Sequence, residues 1–246
     1  MNKAIVFKDL GLQHYKPVWD LQESLLKQNC DIKAAQRNGG TEQTTNYLLF
    51  VEHEPVYTLG KNGNAANVLI SNELLAQKGI EYFHINRGGD ITFHGPQQVV
   101  GYPIIDLENF KTDIGWYLRS LEEVIILTLA EYGLQGMRSK GETGVWLDAD
   151  NILKARKICA MGIRCSRWIT MHGFALNVNT DLNYFNFIIP CGIQNKKVTS
   201  FEKELGCKVL LNEVKEKLKN NFEKVFEANI ITRDFLQDKI FSKPVY

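Results

Sequence analysis

The sequence predicts an α+β fold, a mixed β-sheet with flanking helices, in one domain spanning residues 1–246 with its motif-bearing core at about 45–210. Three observations predict it. Residues 113–132 carry Ile114, Leu118, Leu121, Ile125 and Leu129 at helical spacing, an apolar stripe that ends at Gly133. Short runs rich in β-branched and aromatic residues recur at 47–53, 56–59, 99–107, 145–147, 157–163 and 170–178. The two kinds of segment neither alternate strictly, as a doubly wound parallel sheet requires, nor separate into blocks.

Taken in order, residues 15–33 read as a helix with Pro17 in its first turn, where the missing amide costs nothing. The strands 47–53 and 56–59 are broken by Glu54-Pro55, and Ser71 caps a short helix through 78. A strand at 82–85 enters the turn Arg87-Gly88-Gly89. A charged amphipathic helix at about 213–227 precedes a short C-terminal tail.

Composition narrows the class of protein. Apolar residues at 44% and charged residues at 23% match an ordinary globular chain rather than a disordered one. No apolar run approaches the roughly 18 residues of a spanning helix, and the start lacks a secretory signal, so a cytoplasmic protein is expected. The five cysteines include no CxxC pair, which argues against a disulfide framework and a zinc site. No metal and no cofactor is called for. The net charge of +1 and the lack of a binding motif argue against nucleic acid. One stretch is locally basic: Arg138, Lys140, Lys154, Arg156, Lys157, Arg164 and Arg167 face only Glu142, Asp148 and Asp150 in sequence. It either steers an acidic partner or a phosphate-bearing group, or is a solvated face.

Three segments carry the candidate chemistry. Cys191 lies between Pro190 and Gly192, where one residue fixes φ and the other frees it, so a thiol there is held in one orientation beside exposed backbone. Cys191 is either a nucleophile or a packing residue. Lys157 opens a strand whose alternation puts it with Cys159, Met161 and Ile163. It either snorkels from the strand end or is partly desolvated, and beside a cysteine it serves as ammonium or as base. In the segment 87–96, paired glycines let a ligand approach the backbone, and alternation separates Thr92 and His94 from Ile91 and Phe93. A cysteine–histidine dyad using His94 or His172 stands as the rival to cysteine–lysine.

Together, RGGDITFHGP at 87–96, Gly101-Tyr102-Pro103, Gly144-Val145-Trp146, KICAMGIR at 157–164, HGFALN at 172–177 and Pro190-Cys191-Gly192 resemble the lipoyl/octanoyl transferase family over most of the chain. The resemblance implies the catalytic module shared with biotin and lipoate protein ligases. It implies that Cys191 carries an acyl thioester and that Lys157 lowers the pKa of that cysteine. It lines the acyl pocket with Arg87, Gly88, Gly89, Asp90, Ile91, Thr92, Phe93 and His94, with Ala160, Met161 and Gly162, and with Gly173, Phe174 and Ala175. The implied donor is octanoyl-acyl carrier protein. The implied acceptors are lipoyl domains of 2-oxoacid dehydrogenase E2 subunits and the glycine cleavage H protein. A monomer is expected. Gly162 and the glycines of 87–89 are candidate oxyanion donors. The family usually reads HGPGQ where this chain has His94-Gly95-Pro96-Gln97-Gln98. If that glycine has positive φ, Gln97 strains the turn. The rival activities are an ATP-dependent lipoate ligase on the same fold, a cysteine hydrolase and a non-catalytic acyl-binding module.

Overall fold

The computed structural model of the protein describes residues 2–189 and 197–232. The first half of the chain runs through β1 (Ala4–Gln13), α1 (Tyr15–Gln36), β2 (Asn46–His53), β3 (Val56–Leu59), α2 (Asn72–Gln77), β4 (Glu81–His84), β5 (Ile91–His94) and β6 (Gln98–Ile104). There follow α3 (Ile114–Ala130), β7 (Met137–Arg138), β8 (Val145–Leu147), β9 (Arg156–Ser166) and β10 (Ile169–Asn177). The last elements are β11 (Lys197–Val198), α4 (Phe201–Leu205), α5 (Leu211–Phe226) and β12 (Asn229–Thr232). The larger sheet has the order β12-β1-β2-β6-β10-β9-β8-β7, with β11 beside β9; a smaller sheet has the order β4-β3-β5. Parallel and antiparallel pairs occur in both, so the sheets are mixed as expected.

Central β2 shows how the layers form. Leu48 and Phe50 enter one core, with Tyr117, Leu121, Val124, Ile125 and Leu129 of α3 and Val214, Leu218 and Phe222 of α5. Tyr47, Leu49 and Val51 point the other way, into a core with Val18, Leu25 and Leu26 of α1. A strand apolar on both faces is the mark of a sheet covered on both sides. The smaller sheet closes a third core around Tyr57, Phe93 and Leu75. Burial of large side chains contributes roughly 1.5–3 kcal/mol each, which makes these faces the main stabilising term. None of the described helices is long and apolar enough to cross a membrane.

Several expectations need adjusting. The run 99–107 ends as a strand at Ile104, because the Asp106 side chain accepts the Glu108 amide and starts a 3-10 turn. Residues 4–13 form a ten-residue strand, and the C-terminal tail begins with β12, which pairs with it in parallel. The predicted cap is in place, with the Ser71 hydroxyl accepting the Leu74 amide, and Asp113 caps α3 by accepting the Trp116 amide. The three arginines Arg138, Arg156 and Arg164 of the basic stretch are ion-paired. Arg138 binds Glu122 and Glu123, Arg156 binds Asp148 and Glu204, and Arg164 binds Glu23. Three of the seven basic residues of the stretch are thus committed to structural ion pairs.

Candidate active site

A cavity of about 350 Å³ opens where β6, β9 and β10 of the larger sheet face β5 and the 87–90 turn. Of the residues expected to line it, Arg87, Gly88, Gly89, Asp90, Ile91, Thr92 and His94 do so, as do Ala160, Met161, Gly162, Gly173, Phe174 and Ala175. Phe93 is the exception. It is buried in the small-sheet core and stacks on Tyr184 at 4.4 Å, on the face that alternation assigns to it with Ile91.

The glycine turn is fixed from both sides. Gly88 donates its amide to Ile163 O at 2.9 Å, which docks the turn on β9, and Lys61 donates its amide to Arg87 O at 2.9 Å. The Gly88 amide is thus engaged and is not an oxyanion donor in this conformation. Arg87 is buried, with its guanidinium donating to Thr58 Oγ1 at 2.9 Å and to Gly88 O at 3.0 Å. Asp90 uses its carboxylate on its own loop, accepting the amides of Ile91 and Asn64 and the Asn67 side chain. It shapes the cavity wall by holding the 60–67 loop.

Lys157 reaches the cavity by a route that alternation does not give. Between β8 and β9 the register slips: Trp146 pairs with Lys157, but Val145 pairs with Cys159, so Ile158 is the extra residue of a β-bulge. Ile158 and Cys159 both enter the core under α3 and α5. Beyond the bulge Lys157 therefore shares its side of the strand with Ala160 and Gly162, and not, as alternation predicted, with Cys159; Met161 and Ile163 pack partly against the core under α3 and also border the cavity. Its Nζ donates to Thr143 O at 3.2 Å and lies 4.6 Å from the Trp146 ring centroid. Both partners present electron density to a cation.

Neither candidate histidine presents an open nitrogen to the cavity. His94 donates from Nδ1 to Gln98 Oε1 at 2.9 Å, a tautomer fixed because Gln98 Nε2 donates to Phe93 O and Asn177 Oδ1. Its Nε2 faces the Thr58 hydroxyl at 3.4 Å. Burial, then the neighbouring His53, pushes its pKa well below the ordinary value. His172 donates from Nε2 to Asn86 Oδ1 at 2.9 Å, and its Nδ1 is sealed from solvent without a partner. Burial, then the Arg87 charge, lowers its pKa to about 3. Both rings are neutral, and both line the cavity together with Lys157.

Cys191, with Pro190 and Gly192, lies outside the described residues. The chain on either side is anchored: Ile189 donates its amide to Asn67 O, and Val198 pairs with Lys157, whose carbonyl accepts the Thr199 amide at 2.9 Å. None of the described cysteines lines the cavity, and Cys159 is fully buried with its pKa raised by desolvation. Among the described residues no cluster of three or more His, Cys, Asp or Glu could hold a metal ion.

Gln97, which replaces the usual glycine, does adopt positive φ, +63°. The conformation is held by its amide donating to Glu52, its carbonyl accepting the Asn179 amide and the Thr180 hydroxyl, and its side chain accepting from Asn179. Tyr102 and Asn177, from two of the quoted motifs, also line the cavity, as do Tyr15 and Thr143, which were not singled out in the sequence. Tyr15 stacks parallel to His94 at 6.1 Å. Its position just ahead of a proline in the first turn of α1 is the only local signal it carries.

The family described as the lipoyl protein ligase A/B catalytic domain matches residues 14–223. The octanoyltransferase of Christiangramia forsetii is 59% identical over 232 residues, covering 94% of this chain and 99% of that one. That of Flavobacterium psychrophilum is 58% identical over 233 residues, covering 94% and 100%. Among solved structures, a bi-partite lipoate protein ligase from Thermoplasma acidophilum superposes with a TM-score of 0.66 at 16% identity, covering 95% of this chain and 86% of the other. Lipoate-protein ligase A bound with ATP gives 0.66 at 15% identity, covering 95% and 89%. At such identities these two likenesses establish the fold, an α+β ligase-like module.

Proposed function

The chain belongs to the octanoyltransferase family and is an acyltransferase, and on that premise we propose that it moves an octanoyl group from acyl carrier protein to a lysine of a lipoyl domain through a thioester on Cys191. The acceptors are lipoyl domains of 2-oxoacid dehydrogenase E2 subunits and the glycine cleavage H protein. The enzyme works in the cytoplasm as one catalytic domain, as a monomer and without a cofactor.

In the first step the Cys191 thiolate attacks the octanoyl thioester carbonyl, a new C–S bond forms, and the pantetheine sulfur leaves and takes up a proton. In the second, the ε-amine of the acceptor lysine attacks the Cys191 thioester; a C–N bond forms, the C–S bond breaks and the amine proton is released. Lys157 favours the thiolate and serves as base for the incoming amine. A free cysteine is only a few per cent thiolate at neutral pH, so the lysine has a definite task. The observation that carries this reading is Lys157, turned by the bulge at Ile158 onto the wall of a cavity lined by Ala160, Met161, Phe174 and Ala175.

Intact-mass spectrometry tests it. After mixing with octanoyl-acyl carrier protein without ATP, the enzyme should gain one octanoyl group, mapped to Cys191 and discharged by adding a lipoyl domain. Cys191→Ala should gain nothing, and Lys157→Ala should acylate at a much lower rate. An unchanged mass, or transfer that needs ATP, would leave the lipoate ligase or the acyl-binding module instead. Release of octanoic acid in place of the amide would point to a hydrolase.

A further inference from the structure

Glu122 sits in the middle of α3 with its side chain fully buried, a position that carboxylates occupy only when fully partnered. Its Oε2 accepts from Arg119 Nη1 and from Arg138 Nε at 3.1 Å, and its Oε1 accepts the Gly144 amide at 3.1 Å. Both arginines retain substantial exposure, 50% and 38%, so water could solvate their charges without a buried partner. The third contact has a different consequence.

The N–H of Gly144 and the C=O of Thr143 belong to one peptide group. Its N–H end donates to Glu122, and its C=O end, pointing the opposite way, accepts from Lys157 Nζ at 3.2 Å. One rigid, planar unit thus links a buried carboxylate to the lysine on the cavity wall. The carboxylate polarises the amide, which strengthens its carbonyl as an acceptor. It also fixes which way the plane faces, because a flipped peptide would turn an N–H towards the lysine and a carbonyl towards the carboxylate. The turn is pressed on β9 as closely as backbone allows: φ at Gly144 is +111°, and a Cβ there would lie 2.5 Å from Cys159 O. Two residues on, Trp146 supplies the ring beside the same Nζ. The Gly144-Val145-Trp146 segment is therefore a holder for the lysine, and Glu122 anchors the holder to α3.

We propose that Glu122 is a positioning residue for acyl transfer, which acts by orienting the 143–144 peptide group so that its carbonyl holds Lys157 at the cavity wall. The proposal rests on the role given to Lys157 above. The test is a double-mutant cycle read by single-turnover transfer from octanoyl-acyl carrier protein to a lipoyl domain, with thermal melts confirming the fold. Glu122→Gln keeps the side-chain shape but has one oxygen to share between Gly144 and the arginines; Glu122→Ala has none. Transfer should slow about tenfold to a hundredfold, the effect of a misplaced catalytic group, while KM for the acyl donor stays within about twofold. In the Lys157→Ala background the same changes should add less than about twofold, because the lysine through which they act is gone. Gly144→Ala, which displaces the turn from its other side, should follow the same pattern and serves where Glu122→Ala does not fold. Folded Glu122 variants with wild-type rates, or an equal slowing in both backgrounds, would overturn the proposal and leave the Lys157 assignment standing. A wild-type rate in Lys157→Ala alone would remove that assignment, and this proposal with it.

Discussion

Three neutral, buried imidazoles, two of them lining the cavity, should make this protein lose stability in mild acid. His53, His94 and His172 are exposed by 0%, 6% and 1%. Burial, opposed by the hydrogen bond to Gln13, lowers the pKa of His53 to about 4; burial and then Arg87 lower His172 to about 3; burial and then His53 hold His94 well below its ordinary value. In the unfolded chain each takes up a proton near pH 6.5. The unfolded state therefore binds more protons than the native state as soon as the pH drops below that value. The stabilisation is complete above it and is lost as the pH falls towards the folded values. From about pH 7.5 to about pH 5.5 each histidine accounts for about 1.4 kcal/mol, so the three together remove about 4 kcal/mol. That is a large share of the roughly 5–15 kcal/mol that holds a typical domain folded. The structured carboxylates Glu131 and Glu204, whose pKa values lie below 4.5 because of Lys217 and Arg156, do not contribute in this interval. Urea unfolding at the two pH values, at constant ionic strength, measures the loss as a shift of midpoint at unchanged slope. Replacing any one of the three by glutamine should shrink the loss by about a third, or about 1.4 kcal/mol. A midpoint that does not move across the interval would refute the assignment of three neutral rings.

Gly162→Ala would place a Cβ 2.6 Å from Gly88 O and 3.1 Å from Arg87 Cδ, a clash with backbone that should cost about 1–3 kcal/mol and lower Tm by about 3–10 °C. Gly88→Ala, in the turn it faces, meets only Ile163 O at 3.5 Å and should stay within about 0.5 kcal/mol of wild type; thermal melts in the opposite order would refute the docking of the turn on β9. Asp106→Ala removes the buried partner of Lys33 and Thr44, and although Glu108 remains near the lysine, chemical denaturation should show a loss of about 3 kcal/mol with transfer activity retained. Ala160→Leu extends a side chain into the cavity and should shift the acyl preference from octanoyl to shorter chains, measured as the ratio of kcat/KM values; an unchanged ratio would place the acyl chain elsewhere.

The sequence was most legible where one period governs a long segment. The stripe of α3 and the two-faced β2 fall where their spacing puts them, because a single buried face decides each. It was least legible where structure depends on a distant partner. β1 hides because Lys8, Asp9 and Gly11 dilute its pattern, and its stability comes from pairing with β2 and with β12 more than two hundred residues away. The bulge at Ile158 has no local mark at all; only the register against β8 reveals it, and it reverses the side of the strand on which Lys157 emerges. Glu122 carries no mark of its burial in the sequence, because the groups that close around it, Arg119, Arg138 and Gly144, are brought there by the fold. The residues that border the cavity were named through the family resemblance rather than read from local pattern, and alternation alone separates Phe93, which lies in the small-sheet core.

The bulge also explains how one strand serves both the core and the site. An unbroken β9 would alternate evenly, so placing Lys157 on the cavity side would force residue 159 there too and take Cys159 out of the core under α3. With one extra residue, Ile158 and Cys159 both fill that core while Lys157, Ala160 and Gly162 line the cavity. The alternation beyond the bulge is what lets Gly162 meet the backbone of the 87–90 turn, and the slip before it sets Trp146 opposite Lys157. A buried core on one face and a polar group on the other are thus joined by a single local irregularity. Its position, between the lysine and the floor of the cavity, is where a change of strand face is needed.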